Sequence, residues 1–535
     1  MARKVSRRLR LAGVLSVGTG LLLGAAPAHA DDYTDLLSLL RAKGSLTQGE
    51  YAGLLSKHVG NSARGTEARR GGRSTEARRG RGTGSLATDD AVAQARAAAA
   101  AASASAAAAQ EAAQSAKVEL ASPSLVRTSP YVAGKGVDIR IGNIDLNFSG
   151  FVNGFYTFSS AAHSANTVAG GLADNSGFDS SSIRNGLLPA GLIFKASTTQ
   201  NGIDLAAEFG VYPGINSSNQ GTPFNANGGG SPVGLGTAGV DFRQVFVTAG
   251  TAAFGTVKVG RDIGIFGSDA ILSDATLLSV GATGGNSAPG NTSLGRIGTG
   301  YIYADFMPQI TYSSPIVAGF QATVGAFQPL DEVNFAGGGL SATSAAHDTP
   351  MFQGKLTYDY KAGITAARVW LGGLIQPQQG FAAATAVSLN QTSAHAIGDK
   401  TTGAGEIGAK IDSGPFGGVV YYYRARGVGT TGLMFDGVSA GGALRDSEGF
   451  YAQGSFKPAP KLKLVASYGE SSLFQATGEV DPLLVRRNAA TIGAGYYSLT
   501  DWMTLVGEYA HVQAHNNAGA GIDQNVFTAG TILFF

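Results

Sequence analysis

The 535-residue chain contains no cysteine. Disulfides and thiolate metal sites are therefore excluded. Charged residues make up only 14%, and a net charge of +2 points to no nucleic-acid partner. No run of eighteen apolar residues follows residue 30, which excludes membrane-spanning helices from the rest of the chain. The seven histidines are His29, His58, His163, His347, His395, His511 and His515, and none falls in a G-x-S-x-G or H-E-x-x-H pattern. His511 and His515 stand four apart, but on a strand-to-loop stretch where that spacing does not converge on a metal. No catalytic residue, metal or cofactor is expected.

Glycine is abundant, at 79 residues, and charge is unevenly spread. Residues 1–137 hold 19 Lys and Arg against 10 Asp and Glu, while residues 138–535 hold 20 against 27. The start has the form of an export signal. Arg3, Lys4, Arg7, Arg8 and Arg10 precede an apolar run from Leu11 to Ala26, and Ala28-His29-Ala30 gives the small-x-small site. Cleavage there removes residues 1–30 and starts the mature chain at Asp31.

Three segments of different character follow. Residues 31–60 carry leucines at helical spacing (Leu36, Leu37, Leu39, Leu40, Leu54, Leu55), broken at Gly44-Ser45 into a short two-helix unit. In 61–85, Thr66-Glu67-Ala68-Arg69-Arg70-Gly71 recurs as Thr75-Glu76-Ala77-Arg78-Arg79-Gly80. Nothing apolar is available there for burial, so a disordered basic linker is expected. Its arginines suit a solvated spacer, or contact with anionic peptidoglycan or lipid. Residues 86–122 are mostly alanine, the best helix former. At 1.5 Å per residue they make a rod of roughly 50 Å. A coiled coil between protomers and a single frayed helix both fit, and Ser122-Pro123 ends it.

From residue 138 to 535 the period changes to two. In 352–360, Phe352, Leu356, Tyr358 and Tyr360 alternate with Gln353, Lys355, Thr357 and Asp359. In 406–412, Ile407, Ala409 and Ile411 alternate with Glu406, Lys410 and Asp412. Such segments suit strands with one face in lipid and one in a wet lumen. Sixteen of them fall near 138–158, 187–197, 202–212, 240–249, 253–262, 306–313, 319–328, 351–360, 364–375, 404–412, 416–426, 447–457, 461–470, 488–498, 501–512 and 525–535. Short turns alternate with long loops, as an even-numbered barrel requires. A soluble sandwich also alternates. The aromatics Tyr421, Tyr423, Tyr468, Tyr496 and Tyr509 near strand ends favour interfacial girdles. The expected fold is all-β: a 16-stranded antiparallel transmembrane barrel behind a short helical, coiled-coil and disordered N-terminal region.

Three features resemble the trimeric outer-membrane porins of Gram-negative proteobacteria. The chain ends Thr528-Ala-Gly-Thr-Ile-Leu-Phe-Phe535. Arg243-Gln-Val-Phe-Val-Thr-Ala-Gly250 is followed by Phe254-Gly255-Thr-Val-Lys-Val-Gly260-Arg261-Asp262. After that strand comes the long gap 263–305. The resemblance covers about 138–535, while residues 31–137 depart from minimal porins and are similar to the periplasmic helical extension that some porins carry. It implies a homotrimer in outer-membrane lipid, with the N-terminal region in the periplasm. It implies a diffusion channel for small polar solutes and ions, with no bond chemistry. It also implies an assembly signal at Phe535 and a loop after strand five that folds into the lumen. The constriction is then expected to set Asp269 and Asp274 on the loop against Arg243, Lys195, Lys258 and Arg424 on the wall. Arg261 and Asp262 form the loop base. The competing class is an adhesin or structural barrel with a periplasmic coiled-coil anchor.

Overall fold

The computed structural model describes residues 126–129, 131–132, 134–216, 240–283, 292–343, 347–380 and 398–535. The expectations for 1–30, 31–60, 61–85 and 86–122 lie outside them. The described strands are β1 (Val126–Thr128), β2 (Val137–Ile141), β3 (Ile144–Ser160), β4 (Ser180–Arg184), β5 (Gly191–Gln200), β6 (Ile203–Pro213), β7 (Val240–Thr251), β8 (Gly255–Ile263), β9 (Phe306–Ser313), β10 (Phe320–Phe327), β11 (Met351–Ala362), β12 (Thr365–Gln378), β13 (Lys400–Ser413), β14 (Phe416–Arg426), β15 (Asp446–Ala459), β16 (Leu462–Leu473), β17 (Val485–Ser498), β18 (Met503–Asn516) and β19 (Gly521–Phe534). Sixteen of these, β3 and β5 to β19, pair antiparallel in chain order, β3 with β5 and onward to β19. β19 then pairs with β3 from Phe151↔Phe534 to Ser160↔Asn525, and the barrel closes. Closure leaves none of the sixteen with an open edge, the condition for a sheet to sit in lipid.

Three short strands flank β3. β2 pairs with its first residues, Ile144 to Phe148, on the edge that β19 does not reach, and β1 pairs with β2. β4 pairs with Phe155 to Ser159, beyond the point where β5 stops. The single strand expected over 138–158 is thus two, broken at Gly142, whose φ is 62°. The strand expected over 187–197 starts later, at Gly191, behind Pro189.

Local chemistry sets the hairpins. Asn201-Gly202 joins β5 to β6 with φ of 52° and 78°, the two positive angles of a type I′ turn that matches strand twist. The short connections lie at this rim, except the four-residue turn 517–520 between β18 and β19, which lies at the other. The long loops lie at the other.

Alternation sorts the faces. On β12 to β14, Val369, Leu371, Ile407, Ile411 and Val420 point outward and are 45–58% exposed. Trp370, Glu406, Tyr421 and Tyr423 point inward and are at most 3% exposed. An exposed apolar exterior over a covered polar and aromatic interior is the reverse of a soluble sandwich and fits a lipid-facing band. The girdle assignment needs correction: Tyr468 and Tyr509 face outward, whereas Tyr421, Tyr423 and Tyr496 are buried inside. Gly408 shows why an inward glycine is needed, because any Cβ there would collide with the Trp370 indole.

Candidate functional site

The lumen is occupied by the described residues of the connection between β8 and β9, 264–283 and 292–305. Gly267, with φ of 79°, turns the chain into helix α1 (Ser268–Ser273), and a 3₁₀ turn follows at Ala275–Leu278. Apolar side chains explain why this loop does not extend into solvent. Phe266, Ile271, Tyr301 and Ile302 pack with Phe327, Trp370, Tyr421 and Tyr451 of the inner wall. Val280, with Ala275 and Leu278, packs against Phe155, Val465, Tyr496, Val506 and Ile532.

Wall side chains then accept the loop's backbone N–H groups. Gln353 Oε1 accepts from Ile265 N and Phe266 N at 2.7 and 2.9 Å. Glu406 Oε2 accepts from Gly267 N at 2.8 Å and from the Tyr421 hydroxyl at 2.8 Å. Gln453 Oε1 accepts from Ala275 N at 2.8 Å. Glu508 accepts from Gly281 N at 2.6 Å, from Val280 N at 3.3 Å and from the Ser279 hydroxyl. A carboxylate held by backbone donors in a covered site is a strong, directional anchor. The described residues Thr283 and Thr292 are stapled as well. Arg184, fully buried, donates to the carbonyls of Thr283 and Thr292 at 3.2 and 2.9 Å.

Asp269 on α1 pairs with Lys355 of β11, and with Arg368 of β12 at 3.2 Å. Arg368 also binds Asp359 through Nε and Nη2, both at 2.7 Å. Arg368 and Asp359 are 44% and 43% exposed, so this network meets the water of the lumen. Asp274 turns the other way. It accepts from the Tyr301 hydroxyl at 2.9 Å and from Thr276, with Arg296 3.9 Å away, all in the interior of the loop.

The expected wall cations separate into three groups. Lys195 and Lys258 project inward from β5 and β8. Lys195 lies opposite Glu208 in register, and Lys258 pairs with Asp262 and stands over the Phe246 ring at 4.7 Å. Arg243 occupies a bulge, where the β6–β7 register shifts between Gly210 and Val211. It pairs with Asp241 at 3.1 Å between the rings of Tyr212 and Phe306. No described contact joins it to Asp269 or Asp274. Arg424 lies on the outer face beside Tyr422, 60% exposed, and pairs with Glu448 at 3.0 Å. Asp262, buried, accepts from Gln244 at 3.0 Å, while Arg261 faces Pro308 across the β8–β9 pair. Sequence reasoning placed Gln353 and Lys355 on a polar, lumen-facing side but did not single out Lys355, Arg368, Gln353, Gln453 or Glu508 as site residues, although each keeps the inward parity of its strand.

A family model for Gram-negative porins matches residues 95–530. The chain belongs to the Gram-negative porin family. No curated protein sequence matches it. Among solved structures, the outer membrane channel DcaP of Acinetobacter baumannii is similar at 15% identity, covering 76% of this chain and all of its own, with a TM-score of 0.53. OmpT of Vibrio cholerae is 16% identical over 74% of this chain and 98% of its own, with a TM-score of 0.45. The anion-selective porin of Comamonas acidovorans is 13% identical over 73% of this chain and all of its own, at 0.44. This porin is an outer-membrane channel for passive diffusion. Its family and fold are those of channels rather than enzymes.

Proposed function

We propose that the water path of this porin runs between the loop joining β8 to β9 and the wall of β5 to β12. Its selectivity is set by Asp269, Lys355, Arg368 and Asp359, faced by Lys195 and Lys258. The observation that carries this reading is the burial of the loop's own charges. Asp269, Asp274 and Arg296 are all at most 6% exposed, and the wall supplies the exposed ones. Those charges are matched pairwise, Arg368 with Asp359 and Lys258 with Asp262. A balanced lining gives weak discrimination between small cations and anions. Arg243 and Arg261, at the loop base, and Asp274, inside the loop, hold shape rather than face solute. The pore opens outward at the long-loop rim, so the chain before β3 begins on the periplasmic side, and the assembly is a homotrimer.

Asp269→Asn removes the shared partner of two cations. Lys355 then loses its carboxylate partner while Arg368 keeps Asp359, and the gap, of lower effective dielectric than bulk water, gains net positive charge. The reversal potential in a potassium chloride gradient should move towards the chloride value by several-fold in permeability ratio, whereas Asp274→Asn should leave it in place. An unmoved potential in Asp269→Asn contradicts the assignment.

A further inference from the structure

The long-loop rim is roofed by connections that pack on one another, and the roof holds buried charge. In the loop between β10 and β11, Val333 forms a single bridge to Phe435 of the β14–β15 loop. Val333 N donates to Met434 O at 3.0 Å, and Asp436 N donates to Val333 O at 2.9 Å. The chain is extended there, so Glu332 and Asn334 project from the same side. Burial agrees: Glu332 is 0% and Asn334 3% exposed.

Two glutamines on the inner face of β12 meet this segment in different ways. Gln376 is fully used, accepting from Leu330 N at 2.9 Å and donating to Leu330 O at 2.8 Å. Gln378, 3% exposed, donates Nε2 to Glu332 Oε1 at 2.6 Å, which fixes its amide. Among the described residues, Glu332 Oε2, Gln378 Oε1 and both amide atoms of Asn334 have no hydrogen-bond partner. Buried polar atoms are ordinarily paired, and an orphan costs about 1–3 kcal/mol. Glu332 and Gln378 touch each other and Asn334 projects from the same side as Glu332, so their three orphaned oxygens make a candidate donor set.

The charges around them show what is missing. Asp331 and Asp436 add negative potential. The neighbouring cation, Arg445, is already committed. It binds Glu479 through Nε at 3.0 and 3.1 Å, Ser341 at 2.8 Å, and the carbonyls of Asp436 and Leu340 at 2.9 and 2.7 Å. Burial pushes the Glu332 carboxyl well above its usual range; the Gln378 hydrogen bond and Arg445 oppose the shift, and Asp436 and Asp331 add to it.

We propose that Glu332, Asn334 and Gln378 form a binding site for one hard divalent cation, Ca²⁺, through one carboxylate oxygen and two amide oxygens. The chemistry is that of calcium rather than magnesium or zinc. The donors are all oxygen, two of them are neutral carbonyls, and they come from flexible side chains on separate segments, which suits an ion tolerant of irregular geometry. The ion pins the β10–β11 loop to the end of β12. The site is remote from the Asp269 network and does not depend on the pore assignment.

The test is calorimetric titration of the full-length protein in detergent, stripped with EDTA, with Ca²⁺ as the probe, alongside thermal unfolding with and without the ion. The wild type binds one Ca²⁺ per chain and melts higher with it. Glu332→Gln abolishes binding, and Asn334→Ala, which removes no charge, weakens it by at least about tenfold. Asp348→Asn, an exposed acid on the same loop, binds as the wild type does. Absence of saturable binding overturns the proposal, as does binding that survives Glu332→Gln. A Glu332→Gln protein that melts above the wild type in both EDTA and Ca²⁺ also overturns it, because the pocket then holds only water or a protonated acid.

Discussion

Replacing Glu406 and Glu508 together with alanine should give this porin a larger single-channel conductance than the wild type. The two carboxylates hold opposite ends of the lumen loop, Gly267 at the start of α1 and Ser279 to Gly281 beyond the 3₁₀ turn. Water cannot easily replace them where they sit, at 3% and 7% exposure. Each backbone donor left without an acceptor costs about 1–3 kcal/mol, which shifts the balance between docked and undocked loop by roughly 5–150-fold. The apolar contacts of Phe266, Ile271 and Val280 remain. The expected record is therefore flicker between the wild-type level and a higher one, not a uniformly wide pore. Single-channel recording in planar bilayers distinguishes the two. Traces identical to the wild type would mean that the apolar packing alone holds the loop.

Deleting Phe535 should have the larger effect on assembly. Its backbone makes a reciprocal pair with Gly150, N to O in both directions at 3.0 Å, and extends the seam one step past Phe534. Its ring lies 6.3 Å from that of Trp502, which is in turn 5.6 Å from Tyr131 ahead of the barrel. β2 then begins opposite Phe148, almost in line with the end of β19, so the terminal residue joins the last strand to the segment before the first. Without it, both polar groups of Gly150 open at the edge of the lipid, at a cost of about 1–3 kcal/mol each. On unheated gels the wild type should migrate as a trimer that collapses on boiling, and the deletion mostly as unfolded chain. A wild type that runs as a folded monomer contradicts the trimer, and a deletion that runs as the wild type contradicts the role of Phe535.

Period-two alternation made the barrel legible, because lipid outside and water inside impose opposite demands on successive residues. It did not reveal which inward residues a loop would cover. Tyr421, Tyr423 and Tyr496 were read as girdle residues, yet all three are buried inside the barrel, and Tyr421 and Tyr496 help hold the lumen loop, a contact between segments far apart in sequence. Parity also failed where the backbone breaks it. The β7 bulge takes Arg243 out of step with its neighbours; β14 alternates without a break, but because Tyr421 and Tyr423 turn inward, Arg424 falls on the outer face with Tyr422, among acids of β15. The loop acids look alike in sequence, but Asp269 meets wall cations while Asp274 caps the 3₁₀ turn with Thr276. Only the path of the loop separates them. β4 escaped notice because five residues rich in serine carry no alternation.

The most direct test of a passive, size-limited water path is swelling of liposomes that contain the purified protein, placed in isosmotic sugars of increasing size. The account predicts rapid swelling in the smallest sugars, a steep fall with solute size, and a shift of that fall to larger sugars when Glu406 and Glu508 are both alanine. Liposomes that fail to swell in any sugar, or that swell at one rate whatever the sugar's size, would contradict it.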